Sequence, residues 1–139
     1  MSGPALRKID SHSAIHEAAL NEAIELTNLL DQLVIKEQHK KALEVGYILV
    51  EQWETRTLRH AEEEEAGLYK EIVKDNPDLQ SEITALTRDH NLLRIIIKDI
   101  KEKFNEEKTI SDNIVQLFQS LIIIDELHNQ KEMEVLPEH

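Results

Sequence analysis

Two stretches of the chain place a glutamate four residues after a histidine: "HAEEE" at 60–64 and "HNQKE" at 128–132. At about 3.6 residues per helical turn, each pair shares one face of a helix, one turn apart. Imidazole nitrogen and carboxylate oxygen are the donors that borderline and hard metal ions take from proteins. Two further histidines, His16 and His90, fall on apolar stripes of the same kind, so the candidate chemistry is metal binding by His16, His60, Glu64, His90, His128 and Glu132. A single histidine on such a stripe is more often a hydrogen-bonded core residue, and a glutamate in a charge run is usually solvated. Six such residues on one level are harder to read as packing alone, because buried carboxylates are costly without a compensating cation.

The elements that must position them are helices. Apolar residues recur at steps of three and four, the sign of a buried stripe. The third segment reads Leu79, Ile83, Leu86, His90, Leu93, Ile97, Ile100, Phe104, and the fourth reads Ile110, Ile114, Leu117, Leu121, Ile124, His128, Glu132, Val135. The first runs through His12, His16, Ala19, Ala23, Leu26, Leu30 and Leu33. The second runs through Leu43, Gly46, Val50, Trp53, Thr57, His60, Glu64, Leu68 and Ile72. Breaks fall near 36–40, at Asp75-Asn76-Pro77 and near 105–112, with Asn76 or Asp75, then Ser111 or Thr109, as caps and Pro137 as a stop. The expectation is an all-α protein: one domain over 1–139, with helices at roughly 11–35, 39–74, 78–105 and 111–136, in an up-down-up-down antiparallel four-helix bundle.

Residues equidistant from a hairpin turn lie side by side. His16 and His60 centre on 38, His60 and His90 on 75, and His90 and His128 on 109, each within a proposed turn. The four imidazoles are therefore expected at one level, one from each helix, with Glu64 and Glu132 displaced toward the same end. His12, one turn before His16, is the alternative ligand on the first helix. Glu63 is a candidate extra ligand. Glu62 and Glu65 are assigned to the solvated side, and Arg94 to a surface ion pair, for instance with Asp89 or Asp99. Ala19 and Ala23 leave room for a small ligand beside the site, unless Trp53 fills that space as core.

Composition excludes other classes. Twenty-eight acidic against sixteen basic residues give a net charge of −12, the wrong sign for nucleic acid or an anionic membrane surface. There is no cysteine, which removes disulfides, thiolate zinc sites and Cys-ligated clusters. The longest apolar run, "LIII" at 121–124, cannot span a bilayer, and the first residues lack the apolar stretch of a secretion signal, so a cytoplasmic protein is expected.

Mixed imidazole and carboxylate donors suit iron, with manganese or zinc as alternatives. Six ligands are many for one ion and natural for two. If both glutamates bridge, and an oxo or hydroxo group bridges as well, about ten of the twelve positions around two six-coordinate ions are filled and two stay open for a small ligand.

The order and spacing of these residues resemble the hemerythrin-like family, also called HHE cation-binding domains. The matching elements are His16 in the first helix, "HAEEE", the lone His90 of "RDHNLL", and "HNQKE" followed by "VLP"; together they span essentially the whole chain. The resemblance implies a four-helix bundle around a non-haem di-iron centre with bridging glutamates, His16 and His60 serving one iron and His90 and His128 the other. The chain departs from the oxygen-carrying members. The place of their fifth histidine, four after the third-helix one, is Arg94, and Met133 stands where they have the aspartate of His-x-x-x-x-Asp. The implied function is binding or sensing of dioxygen or nitric oxide. The alternatives are a redox enzyme acting on peroxide or nitric oxide, or an iron donor for iron–sulfur repair, or a metal-free interaction bundle. No proton donor is evident among the residues read this way, and no protein partner or electron donor is indicated.

Overall fold

The computed structural model describes residues 4–136, with side chains from residue 13 onward. The side chain of His12, together with Pro137 and His139, lies outside the described residues. The described chain is all-helical: α1 (Pro4–Ile35), α2 (His39–Gln52), α3 (Arg59–Ala66), α4 (Leu68–Asp75), α5 (Gln80–Glu107) and α6 (Asp112–Val135). A π-helical turn at Trp53–Leu58 joins α2 to α3, and a 3₁₀ turn at Pro77–Leu79 leads into α5. The second helix expected from the sequence is thus α2, the π turn, α3 and α4 in succession. α1 packs on α2 and α6, and α5 packs on α6 and on the π turn. These neighbours are compatible with an up-down antiparallel order.

Local chemistry accounts for the ends. After α1, Glu37 takes a left-handed conformation (φ 58°), the Gln38 N–H donates to Leu33 O and the Glu37 N–H to Val34 O. That paired closure is the Schellman motif, with glutamate where glycine is usual. Asn76 caps the 3₁₀ turn through its side chain, which accepts from the Asp78 N–H, and Pro77 sits where its missing N–H costs nothing. Ser111 is the cap of α6, with its hydroxyl accepting from the Ile114 N–H.

The interior is layered. The larger apolar cluster contains Ala23, Leu30, Leu49, Trp53, Leu93, Ile97, Ile100, Phe104, Ile114, Phe118 and Leu121. A smaller one, at the other end of the chain's stripes, contains Tyr69, Ile72, Ile83, Leu86 and Leu136. Along α5 the order is Ile83, Leu86, His90, Leu93, Ile97, so the buried histidine stands between the two apolar clusters. The same holds on α6, where Asp125, His128 and Glu132 separate Leu121 from Leu136.

Gly46 is required by a close approach. A Cβ there would stand 2.9 Å from Phe104 Cζ and 3.0 Å from Ile110 Cδ1. The missing side chain lets α2 meet the aromatic end of α5 at the base of the larger cluster.

Candidate metal centre

All six sequence-expected residues come together between the two apolar clusters. The His16 and His60 rings meet edge to face with centroids 4.9 Å apart; the His90 and His128 centroids are 4.5 Å apart, and His16 and His128 are 6.4 Å apart. Glu64, His90, His128 and Glu132 are buried, and His16 and His60 are half-buried. Ligand atoms of Glu64, His90, His128 and Glu132 all lie within 4.8 Å of one another, as do those of His16, His60 and Glu64. A buried group of this kind can hold a metal ion.

Each glutamate divides its two oxygens between two histidines. Glu64 Oε2 lies 3.6 Å from His16 Nε2, and its Oε1 lies 3.3 Å from His90 Nε2. Glu132 Oε1 lies 3.7 Å from His16 Nδ1, and its Oε2 lies 3.2 Å from His128 Nε2. The carboxylates therefore span from the His16 side of the cluster to the His90–His128 side.

Hydrogen bonds on the outer edge fix which nitrogens face inward. His90 Nδ1 is 2.7 Å from Glu65 Oε2, and His128 Nδ1 is 3.0 Å from Asp89 Oδ2. An ionised carboxylate only accepts, so each Nδ1 carries the hydrogen and each Nε2 is left with a lone pair toward the centre. Those two Nε2 atoms stand 3.1 Å apart. Two lone pairs with two glutamates beside them form a cluster of acceptors; the Tyr69 hydroxyl satisfies one oxygen, Glu132 Oε2, and positive charge is what relieves the rest. In the metal-free protein that charge is a proton. Burial alone would lower the pKa of His128, but the hydrogen bond and charge of Glu132, the hydrogen bond to Asp89 and the charge of Glu64 outweigh it, raising it from 6.5 to about 9. A cation would satisfy the same acceptors without the proton, and the donor set fits one of borderline hardness.

Several functional neighbours escaped the sequence reading. Glu65, expected on the solvated side, holds His90 and is itself held by Arg94, whose guanidinium lies 2.8 Å from the same oxygen. Arg94 does form an ion pair, but with Glu65, and it also bonds Asn91, while Asp89 serves His128 and Asp99 faces Lys103. Helix geometry explains the error. Glu65 follows Glu64 by about 100° around the helix, so it leans toward α5 rather than away from the bundle. Glu63, the candidate extra ligand, is mostly exposed and comes within 3.8 Å of His60 Nδ1.

Tyr69 is buried, donates its hydroxyl to Glu132 Oε2 at 2.5 Å, and stacks on His90 with planes 5° apart. Burial, then the charges of Glu132 and Glu64, push its phenol far above the ordinary range, so it stays a donor. Asp125 is buried as well and lines the cavity of the cluster. Burial outweighs the favourable charges of His128 and His90 and pushes its carboxyl from 3.8 up to about 7. A signal for Asp125 existed: it is four after Leu121 and three before His128, on the stripe itself. Tyr69 had none, because it follows the break at Gly67.

The cavity is about 10 Å³, close to the space one water molecule needs. Its walls include His16, Ala19, Thr57, His60, Glu64 and Asp125. Ala19 thus borders the site, whereas Ala23 and Trp53 both belong to the larger apolar cluster. Gln52 steadies this wall by donating from Nε2 to Ala19 O at 2.8 Å.

Comparison with known proteins returned no match among family models, curated proteins or solved structures. What fold and site define is an all-helical protein with a buried His/Glu group able to hold metal. Among the described residues, no helix is long and apolar enough to cross a membrane.

Proposed function

We propose that this chain is a hemerythrin-like, non-haem di-iron protein that binds or senses dioxygen or nitric oxide inside an up-down-up-down four-helix bundle. The observation that carries the reading is the division of each glutamate's oxygens between His16 and the His90–His128 pair. Carboxylates so disposed suit two ions better than one. When bound, ferrous iron supplies electrons and open coordination positions for a small ligand. The chain's own residues orient the donors: Glu65 and Asp89 aim the two imidazoles, Tyr69 holds Glu132, and Ala19 borders a cavity with room for about one water-sized molecule. The test is metal analysis after anaerobic reconstitution with ferrous iron. About two irons per chain are expected, falling by at least one in Glu64→Ala and in Glu132→Ala. Less than about one iron in the unaltered protein ends the proposal.

One feature favours a redox enzyme as the second reading. Asp125 is a buried acid facing the same cavity, placed to exchange a proton with a ligand there. Turnover of added peroxide or nitric oxide by the iron-loaded protein, reduced in Asp125→Asn, supports that reading. A stable and reversible oxygen spectrum, unchanged in the variant, supports binding.

A further inference from the structure

We propose that Tyr69 is a positioning residue for the metal centre, setting the orientation of the Glu132 carboxylate through its hydroxyl and of the His90 ring through its face; this rests on the metal-binding reading above. Both contacts come from one rigid side chain. The hydroxyl donates to Glu132 Oε2 at 2.5 Å, and that same oxygen faces His128 Nε2 at 3.2 Å. The ring lies parallel to His90, with centroids 5.6 Å apart. With Oε2 held at the His128 side, Oε1 is left turned toward His16 Nδ1 at 3.7 Å. The carboxylate is thereby stretched across the cluster instead of presenting both oxygens to one imidazole.

His90 is held from two directions. Glu65 takes its Nδ1 hydrogen at 2.7 Å, and the Tyr69 ring lies alongside the imidazole with planes 5° apart. Tyr69 can do this because the helix is interrupted at Gly67, where φ −120° and ψ −83° separate α3 from α4. An unbroken helix puts position 69 about 140° around from Glu64, off the face that carries the cluster. The break brings the phenol to the end of Glu132, on α6.

A preorganised carboxylate binds metal more tightly than one free to rotate, and loss of such a supporting hydrogen bond costs about 10–100-fold in metal affinity. The experiment titrates cobalt(II) into metal-free wild type, Tyr69→Phe and Tyr69→Leu, following the visible d–d absorption, with circular dichroism melting as a check on folding. Phe keeps the ring against His90 and removes only the hydroxyl. The expected result is a cobalt affinity about 10–100-fold weaker in Tyr69→Phe with a shifted d–d spectrum, and a further loss in Tyr69→Leu. A folded Tyr69→Phe that binds cobalt as wild type does, with the same spectrum, overturns the role of Tyr69 and leaves the metal centre standing. Wild type that binds no cobalt overturns the metal centre, and the role of Tyr69 with it.

Discussion

At the scale of the residue, the cluster is a balance between charge and burial. Glu64, Glu132 and Asp125 are carboxyl groups taken out of water, compensated by the imidazoles of the cluster and, at Glu132, by the Tyr69 hydroxyl. In the metal-free protein the balance depends on pH, with a sign that can be worked out. The pKa of His128 is raised from 6.5 to about 9, so its pairing with Glu132 contributes stability in full below about 6.5 and loses it as pH climbs through about 9. Asp125 is raised from 3.8 to about 7, so its burial costs nothing below about 3.8, increasingly more above that, and most above about 7. Both act in the same direction. The metal-free protein is expected to lose stability as pH rises from about 6.5 to 9, measured as the urea midpoint. Asp125→Asn keeps the shape without the charge. Its gain over wild type is expected to be small near pH 4 and largest above about pH 7. A gain independent of pH rules out ionisation as the cause.

At the scale of the element, two irregularities of the second bundle helix matter more than its regular parts. The π turn at Trp53–Leu58 supplies Thr57 to the cavity wall, and such wide turns are common beside functional sites. The break at Gly67 lets Tyr69 reach Glu132. Farther from the site, Gly46 sets how closely α2 approaches α5. Alanine there would raise helix propensity by about 1 kcal/mol. It would also press its methyl against Phe104 and Ile110, which are buried and closely packed. Overpacking of that kind costs about 1–3 kcal/mol. Gly46→Ala is therefore expected to destabilise the protein by roughly 1 kcal/mol net in urea unfolding, with little effect on the metal centre. A stabilised variant shows that the Phe104 ring can move aside.

At the scale of the whole molecule, a polar layer divides two apolar clusters, and α1, α3, α5 and α6 each contribute to it. α1 supplies His16, α3 supplies His60 and Glu64, α5 supplies His90, and α6 supplies His128 and Glu132. A metal that binds only when all four are assembled stabilises the fold by linkage, about 2.7 kcal/mol at a free concentration one hundred times its dissociation constant. The melting temperature is expected to rise with added ferrous iron or cobalt(II), to fall again with chelator, and to stay flat in Glu64→Ala. A melting temperature indifferent to metal in the unaltered protein argues against a site formed by folding.

Much of this was legible in the chain itself. Steps of three and four along Leu79 to Phe104, and the caps Asn76 and Ser111, depend on neighbours within a turn or two, and such local chemistry is written in order along the sequence. The convergence of His16, His60, His90 and His128 was legible for a related reason: counting outward from turns works when the connections are short. The supporting residues were not legible. Glu65 looked like one more acid in a run of four, Asp89 like a surface charge, and Tyr69 like any aromatic beyond the motif. Their roles depend on how far one helix is rotated against another and on a break whose backbone angles no spacing rule supplies. The identities of the inward donors follow from helical periodicity, which is local; what holds those donors in place follows from contacts between residues 25 to 63 positions apart, and only the packed bundle decides those.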